Sequence, residues 1–436
     1  MLRVKIFLNS QGLNVLVPIL ILFVIAFIIG YLFEKIKLPA LIGYMLVGIC
    51  FSPYVLEFLE LKESQFSKLF LTHYMINNST LIREIALFII LYRAGLGLDR
   101  TGLKFHGNNA ISLSILPCLL ETITIAVCAM YLFKLLFLEA LIIGFVVSAV
   151  SPAVIVPQML DLQNKGIGTN KKIPTLVLAG STIDDILAIS GFGICLSILS
   201  VDSIETWQQL LIKIPLSLVA GAAIGYYVAK PLIIALKNSR LHPFFYVVAL
   251  IAFALGFKQL EESKLFFFSH LIAIIALGIS IQTHDLEFSK TLSEWFAKVW
   301  GIAVIALFVL IGAMVNPAIA ISAGFYGLII LICGLAARSL GVFISLNGSK
   351  LNSNEKLFCV IAYLPKATVQ ATIGGIAVAL FLKGDIKLYN GLDTGELIAA
   401  MAALSILFTA PLGAIGIRVF SKKLLENSKT NSSDIS

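Results

Sequence analysis

The sequence predicts an all-α polytopic membrane protein, with about 13 transmembrane helices arranged as inverted repeats around two crossed broken helices. Three observations carry this. Of the 436 residues 59% are hydrophobic and 13% charged, with a mean hydropathy of +0.99. Apolar runs of about 20 residues, the length needed to cross a bilayer, recur from end to end. Two of these runs are interrupted by prolines at membrane depth, and they lie an odd number of spans apart.

In chain order the expected spans are 15–33, 39–59, 84–98, 110–133, 137–160, 174–199, 210–236, 243–257, 265–281, 296–315, 318–346, 357–382 and 396–419. The first run is too long for a signal-peptide core and has no small-residue cleavage site, so it reads as a retained helix. The fifth span, "LIIGFVVSAVSPAVIVPQML", loses two backbone donors at Pro152 and Pro157. In the twelfth, "VIAYLPKATVQATIGGIAVAL", Pro365 is followed at once by Lys366 and then by Thr368 and Gln370. Broken helices are tolerated in a membrane only where protein or a water-filled cavity satisfies the freed backbone groups. The two breaks lie seven spans apart, so the segments run in opposite directions, as an inverted repeat requires.

An odd number of spans puts the termini on opposite sides. With the C-terminus inside, the cytoplasmic segments carry 15 Lys and Arg against 10 outside, which gives an N-out, C-in topology. That bias absorbs the net charge of +8 without any nucleic-acid partner; the partners expected are the transported ions and membrane lipids. Residues 1–420 read as one transmembrane unit and 421–436 as a polar cytoplasmic tail, and no soluble domain remains to be placed. Six cysteines stand singly in apolar stretches, without the spacing of a metal site or a disulfide framework, and read as packing residues.

The chemistry begins with "LVLAGSTIDDILAISGFGI", where Asp184 and Asp185 stand side by side in a membrane span. A carboxylate at mid-membrane costs about 2.5 to 3.5 kcal/mol, so an adjacent pair demands a function. Dehydrated Na+ or Li+ needs oxygen ligands, and a carboxylate that releases a cation can take a proton instead. Successive helical residues point about 100° apart, so one acid faces the ion while the other holds or hydrates the site. Ser151 and Thr182 are candidate hydroxyl ligands from neighbouring backbone. Glu121 and Arg338 lie near mid-span and are expected to pair with each other or with the aspartates. Arg93 is close enough to a helix end to reach the interface, and His270 reads as a hydrogen-bonded packing residue.

Four segments, "GFVVSAVSPAVIVPQML", "GSTIDDILAISGF", "RAGLGLD" and "LPKATVQATIG", in this order over residues 38–420, resemble the NHA-type sodium/proton exchangers of the cation/proton antiporter superfamily. The resemblance implies the sodium/proton antiporter fold: a homodimer in which a dimerisation domain stays still while a six-helix core carries the ion by an elevator movement. It implies Na+ (or Li+) exchange for H+ at Asp184 and Asp185, the second being the more critical, with no cofactor and no enzymatic activity. It further implies that Glu121 and Arg338 form an ion pair and that Lys366 neutralises the facing helix ends. Electrogenic relatives tend to carry lysine where Arg338 stands, and arginine keeps its proton at any relevant pH, so electroneutral exchange is expected. One departure is "LIGAMVN", with Met314 where the family leads us to expect an acid, and an extra leading helix of some members is expected to be absent. The protein is expected in the cell membrane.

Other classes fit less well. "GLGLD" has a superficial likeness to the GxGD signature of intramembrane aspartyl proteases, but its spacing is off by one residue and such acids lie on two facing helices. A K+/H+ antiporter or cation efflux system of the same superfamily is the alternative, and a nucleotide-binding regulatory domain of the potassium-efflux type is not seen after residue 420.

Overall fold

A computed structural model describes residues 11–60, 70–72, 75, 79–97, 107–199, 207–263, 268–315, 317–382 and 394–426. Among them every regular element is helical. Among the described residues eight segments are long and apolar enough to cross a membrane, one of them the interrupted run Phe137–Lys165, and two shorter apolar helices accompany them. Large apolar side chains such as Tyr227 (75% exposed) and Phe325 (72%) stand on the outer surface, as lipid contact requires.

The chain opens with α1 (Gln11–Lys35) and α2 (Ala40–Cys50). The second expected span is interrupted: Ser52 caps a new helix, α3 (Pro53–Phe58), by accepting from the Val55 amide at 3.2 Å, with Pro53 at the first helical position. Then come α4 (Thr80–Leu96), α5 (Asn108–Leu132) and the fifth span, split into α6 (Phe137–Ser148) and α7 (Pro152–Lys165). The break at 149–151 falls where Pro152 cannot continue the ladder, and Gly166 at φ 74° closes α7 in the left-handed conformation.

Next are α8 (Ile173–Leu199), α9 (Trp207–Ser239), α10 (Pro243–Glu262), α11 (His270–His284) and α12 (Leu286–Met314). The last of these starts ten residues before the expected apolar span, because Asp285 caps it by accepting from the Phe288 amide at 2.9 Å and the added turns are amphipathic. They are followed by α13 (Pro317–Ser345), then α14 (Ser353–Ala362) and α15 (Thr368–Leu382) on either side of the second break, and α16 (Thr394–Leu424). A capping box starts α14: Asn352 Oδ1 accepts from the Glu355 amide at 2.9 Å, and Glu355 Oε2 accepts from the Asn352 amide at 2.7 Å. The chain is thus helical to Leu424, past the expected tail boundary at 421; residues 427–436 and Asp99 of the "RAGLGLD" motif lie outside the described residues.

The helices pack as two sets. One comprises α1, α2, α4 and α9–α12; the other comprises α5–α8 and α13–α16. Within each set, glycines let backbones touch. A Cβ on Gly48 of α2 would stand 2.0 Å from the Val309 carbonyl oxygen of α12, and one on Gly225 of α9 would stand 2.2 Å from that of Ala273 on α11. In the second set, Gly144 of α6 meets the Thr122 carbonyl of α5, at 2.6 Å from an added Cβ. Where the sets meet, side chains lie between: Gly375 of α15 faces Ile311 Cδ1 and Arg83 Cδ, and Gly193 of α8 faces Leu271 Cδ1. A methyl group forced against backbone cannot be relieved by a rotamer change, and overpacking of this kind costs about 1–3 kcal/mol. Gly48→Ala should therefore lower the melting temperature of the purified protein clearly more than Gly193→Ala. A Gly48→Ala protein that melts like wild type would show that the α2–α12 contact is looser than described.

Candidate cation and proton site

The two breaks cross in the interior of the second set. The Ser151 amide donates to the Pro365 carbonyl across 2.8 Å, tying one break to the other. Each break ends a helix and leaves orphan carbonyls that water would satisfy outside a membrane. Here side chains satisfy them. At the end of α6, Lys366 Nζ donates to the Ser148 carbonyl at 2.8 Å, while Gln370 Nε2 donates to those of Val147 (3.1 Å) and Ala149 (2.6 Å). Near the end of α14, Arg338 Nε donates to the Tyr363 carbonyl at 3.0 Å. A cation therefore stands at each negative helix terminus, the favourable sign for the helix dipole.

These cations also hold the acids. Arg338 Nη1 lies 2.8 Å from Glu121 Oε2, and Nη2 lies 2.8 Å from each oxygen of Asp184. Lys366 Nζ reaches the same Glu121 oxygen at 2.7 Å. Asp184 Oδ2 further accepts from the Val150 amide at 2.8 Å, an anion at the start of the second half of the broken helix. The arrangement is a closed network of two acids and two bases, all 0% exposed as residues. The pairing expected of Glu121 with Arg338, or of Arg338 with the aspartates, is joined here by Lys366 as a second base on Glu121.

Asp185 differs from its neighbour. It is 1% exposed, and its Oδ1 has no hydrogen-bond partner among the described residues; Ser151 Oγ, also buried, has none either. Thr182, half-buried, donates to the Leu178 carbonyl at 3.0 Å, and three residues of helix put it on the face of Asp185 rather than that of Asp184. Outside this centre, Met314 is buried with its Sδ 3.5 Å from Arg83 Nη1. Arg93 stacks on Trp300 at 5.7 Å, and the His270 amide donates to Glu261 at 2.7 Å at the start of α11. Among the described residues no group of three or more His, Cys, Asp or Glu is disposed to hold a metal.

A pair of crossed broken helices with a buried acid–base network is the architecture of a membrane ion carrier. The profile of the family described as "Sodium/hydrogen exchanger, transmembrane" matches residues 23–423. The chain belongs to this family. The exchanger is 33% identical to sodium/hydrogen exchanger 9B2 of Homo sapiens, over 95% of its own length and 76% of the relative's. The 9B2 protein of Pongo abelii is similar to the same degree, and sodium/hydrogen exchanger 9B1 of Homo sapiens is 30% identical over 93% and 77% of the two chains. These relatives make it an NHA-type exchanger of the cation/proton antiporter superfamily. The solved structure of the sodium proton antiporter MjNhaP1 from Methanocaldococcus jannaschii at pH 8 superposes with a TM-score of 0.77 over 94% of this chain and 99% of that one; at 18% identity it shows the shared fold. The exchanger is accordingly an integral membrane protein that exchanges Na+ and H+, and it is not an enzyme.

Gln370 and Tyr363 had no assigned role in the sequence reading. Gln370 was visible only as a polar residue after the second break, since its partners lie more than 200 positions away. Tyr363 packs its ring against the Arg338 guanidinium at 5.6 Å and its hydroxyl against α8 at Gly180.

Proposed function

We propose that the exchanger carries one Na+ or Li+ against one H+ across the cell membrane, with Asp185 binding cation and proton in turn. The observation that carries this reading is the contrast between two neighbouring acids. Asp184 and Glu121 offset Arg338 and Lys366 charge for charge, and their shared hydrogen bonds hold them in place. Asp185 is the acid left over, buried beside a balanced network, with an oxygen that no group among the described residues answers. A buried carboxylate without a partner must be neutralised. A monovalent cation and a proton do this equally well and exclude one another. Arg338 keeps its proton throughout, and Lys366 stays bound to Glu121 Oε2 and the Ser148 carbonyl; with both bases charged in every state, one cation is exchanged for one proton and no net charge moves.

Ser151 and Thr182 flank Asp185 as candidate hydroxyl ligands, and Lys366 holds the broken-helix end in register. The set formed by α5–α8 and α13–α16 corresponds to the moving six-helix core, and the other set to the dimerisation domain of a homodimer. The core carries the site across by an elevator movement, with the N-terminus outside and the C-terminus in the cytoplasm. No cofactor enters the cycle; the ions are the substrates and lipids the surrounding partners.

The test is exchange in proteoliposomes that enclose a pH-sensitive dye, with Na+, Li+ and K+ added in turn and a membrane potential imposed or abolished. Dye response to Na+ or Li+, insensitive to potential, is expected. Competition for one carboxylate further requires the apparent cation affinity to fall as pH drops, roughly tenfold per unit once pH is below the site's pKa, while the maximal rate changes much less. An affinity that stays constant between about pH 6 and 8.5 would mean separate cation and proton sites.

A further inference from the structure

Gln370 lies in the first turn of α15, three residues after the last residue of the break, and is 0% exposed. Its amide nitrogen faces two carbonyl oxygens, those of Val147 and Ala149. Only the NH2 end of an amide can face two acceptors, so the chemistry of the partners fixes which way the group is turned. Oε1 must then point away from the end of α6. It is buried, and among the described residues no donor reaches it. A buried amide oxygen left without a donor is unfavourable, and it persists where something other than protein answers it.

The surroundings indicate what that is. The Ala149 carbonyl held by Gln370 is two residues from Ser151, whose backbone is tied to Pro365, and the intervening Val150 amide is bound to Asp184. Asp185 follows directly on Asp184. Five buried oxygens of this centre have no partner among the described residues: Asp185 Oδ1, Ser151 Oγ and Gln370 Oε1, and beside them Glu121 Oε1 and Tyr363 Oη. The first three, on or directly beside the two breaks and Asp184, are a carboxylate, a hydroxyl and an amide carbonyl, the hard neutral and anionic oxygens that a dehydrated alkali cation prefers.

We propose that Gln370 Oε1 is a ligand of the transported cation and that Gln370 sets cation specificity. The two halves of its amide do different work. The NH2 end, bound twice, fixes the side chain against α6, and this fixes where Oε1 stands relative to the break that carries Ser151. A ligand immobilised in this way favours the cation whose radius matches the gap and resists expansion for a larger one. The proton needs only the carboxylate, so Gln370 affects cation affinity and leaves proton affinity alone. The proposal rests on the reading of Asp185 as the exchanging acid.

Gln370→Leu and Gln370→Asn test it in the same proteoliposome assay, alongside wild type and Asp185→Asn. The expected result is a rise of at least tenfold in the KM for Na+, with kcat within about threefold of wild type and the same dependence of KM on pH. The ratio of KM values for Na+ and Li+ should shift in the Asn variant, whose amide is shorter by one methylene. The rise in melting temperature that Na+ gives over choline in the purified protein should shrink in parallel. An unchanged Na+ KM in both variants, with loss only of kcat or of stability, would reduce Gln370 to a structural clamp and overturn the proposal. Should the Leu variant fail to fold, the Na+ KM and the Na+/Li+ ratio of the Asn variant decide alone. Failure of the underlying reading looks different: Asp185→Asn would then transport like wild type, whatever Gln370 variants do.

Discussion

Asp185→Asn abolishes Na+/H+ exchange, by at least 100-fold, while the purified protein melts at or above the wild-type temperature. Both halves of this expected result follow from the same geometry. Asparagine keeps the size of the side chain but can neither take up a proton nor neutralise a cation. Asp185 contributes no ion pair among the described residues, so its replacement removes an unanswered buried acid and not a bond. Asp184→Asn is the informative contrast. That residue receives both Arg338 contacts and the Val150 amide, so the amide variant should lose stability and retain partial exchange. Exchange rates in liposomes and thermal shifts in detergent give both readouts on one preparation. Transport at wild-type rate by Asp185→Asn would remove the central reading.

The second large effect concerns the network. Arg338→Ala strands Glu121 and Asp184 with Lys366 alone to offset them, and stripping one partner from a buried ion pair costs about 3–5 kcal/mol. Glu121→Ala strands two cations against Asp184. The double variant leaves Asp184 and Lys366, one charge of each sign, so it should be much more stable than the sum of the single losses, with a coupling of about 0.5–3 kcal/mol. Strictly additive losses in a thermal double-mutant cycle would show that the four charges do not act as one unit. Arg338→Lys probes the same position differently. Lysine cannot make the planar set of contacts to Glu121, Asp184 and the Tyr363 carbonyl, and it can release its proton. Exchange by this variant should become sensitive to membrane potential.

Much of this centre could be read from the sequence, because charge inside an apolar run and proline at membrane depth are local signals. Asp184, Asp185, Glu121, Arg338 and Lys366 stand out in this way, as do the two breaks. What the sequence left open was non-local. Two adjacent aspartates differ by about 100° around a helix, and nothing local says that Asp184 turns to Arg338 while Asp185 does not. Gln370 looks like any polar residue after a break until the end of α6 is brought against it. Hydropathy also misplaced helix ends wherever polar turns continue a helix. Arg83 fell outside the expected third span, yet α4 begins at Thr80, and Arg83 is 0% exposed with Nη1 2.6 Å from Ser79 Oγ. Capping residues, not hydropathy, set such ends, as Asp285 does for α12.

The glycine contacts within each helix set have a mechanical meaning. Backbone seated in backbone, as at Gly48 on Val309 and Gly144 on Thr122, is a key in a slot: close-packed contact of this kind resists sliding, because no side chain is there to yield. At the boundary between the sets, Gly375 and Gly193 meet the methyl ends of Ile311 and Leu271 and the arm of Arg83. Such groups can rotate to a new well and present a similar surface one step further on. The molecule thus has two stiff blocks and one compliant bearing between them. In the elevator movement proposed above, the side chains at Ile311, Leu271 and Arg83 are the ones that would have to slide, so changing their bulk is expected to alter the turnover rate while leaving the apparent ion affinity unchanged.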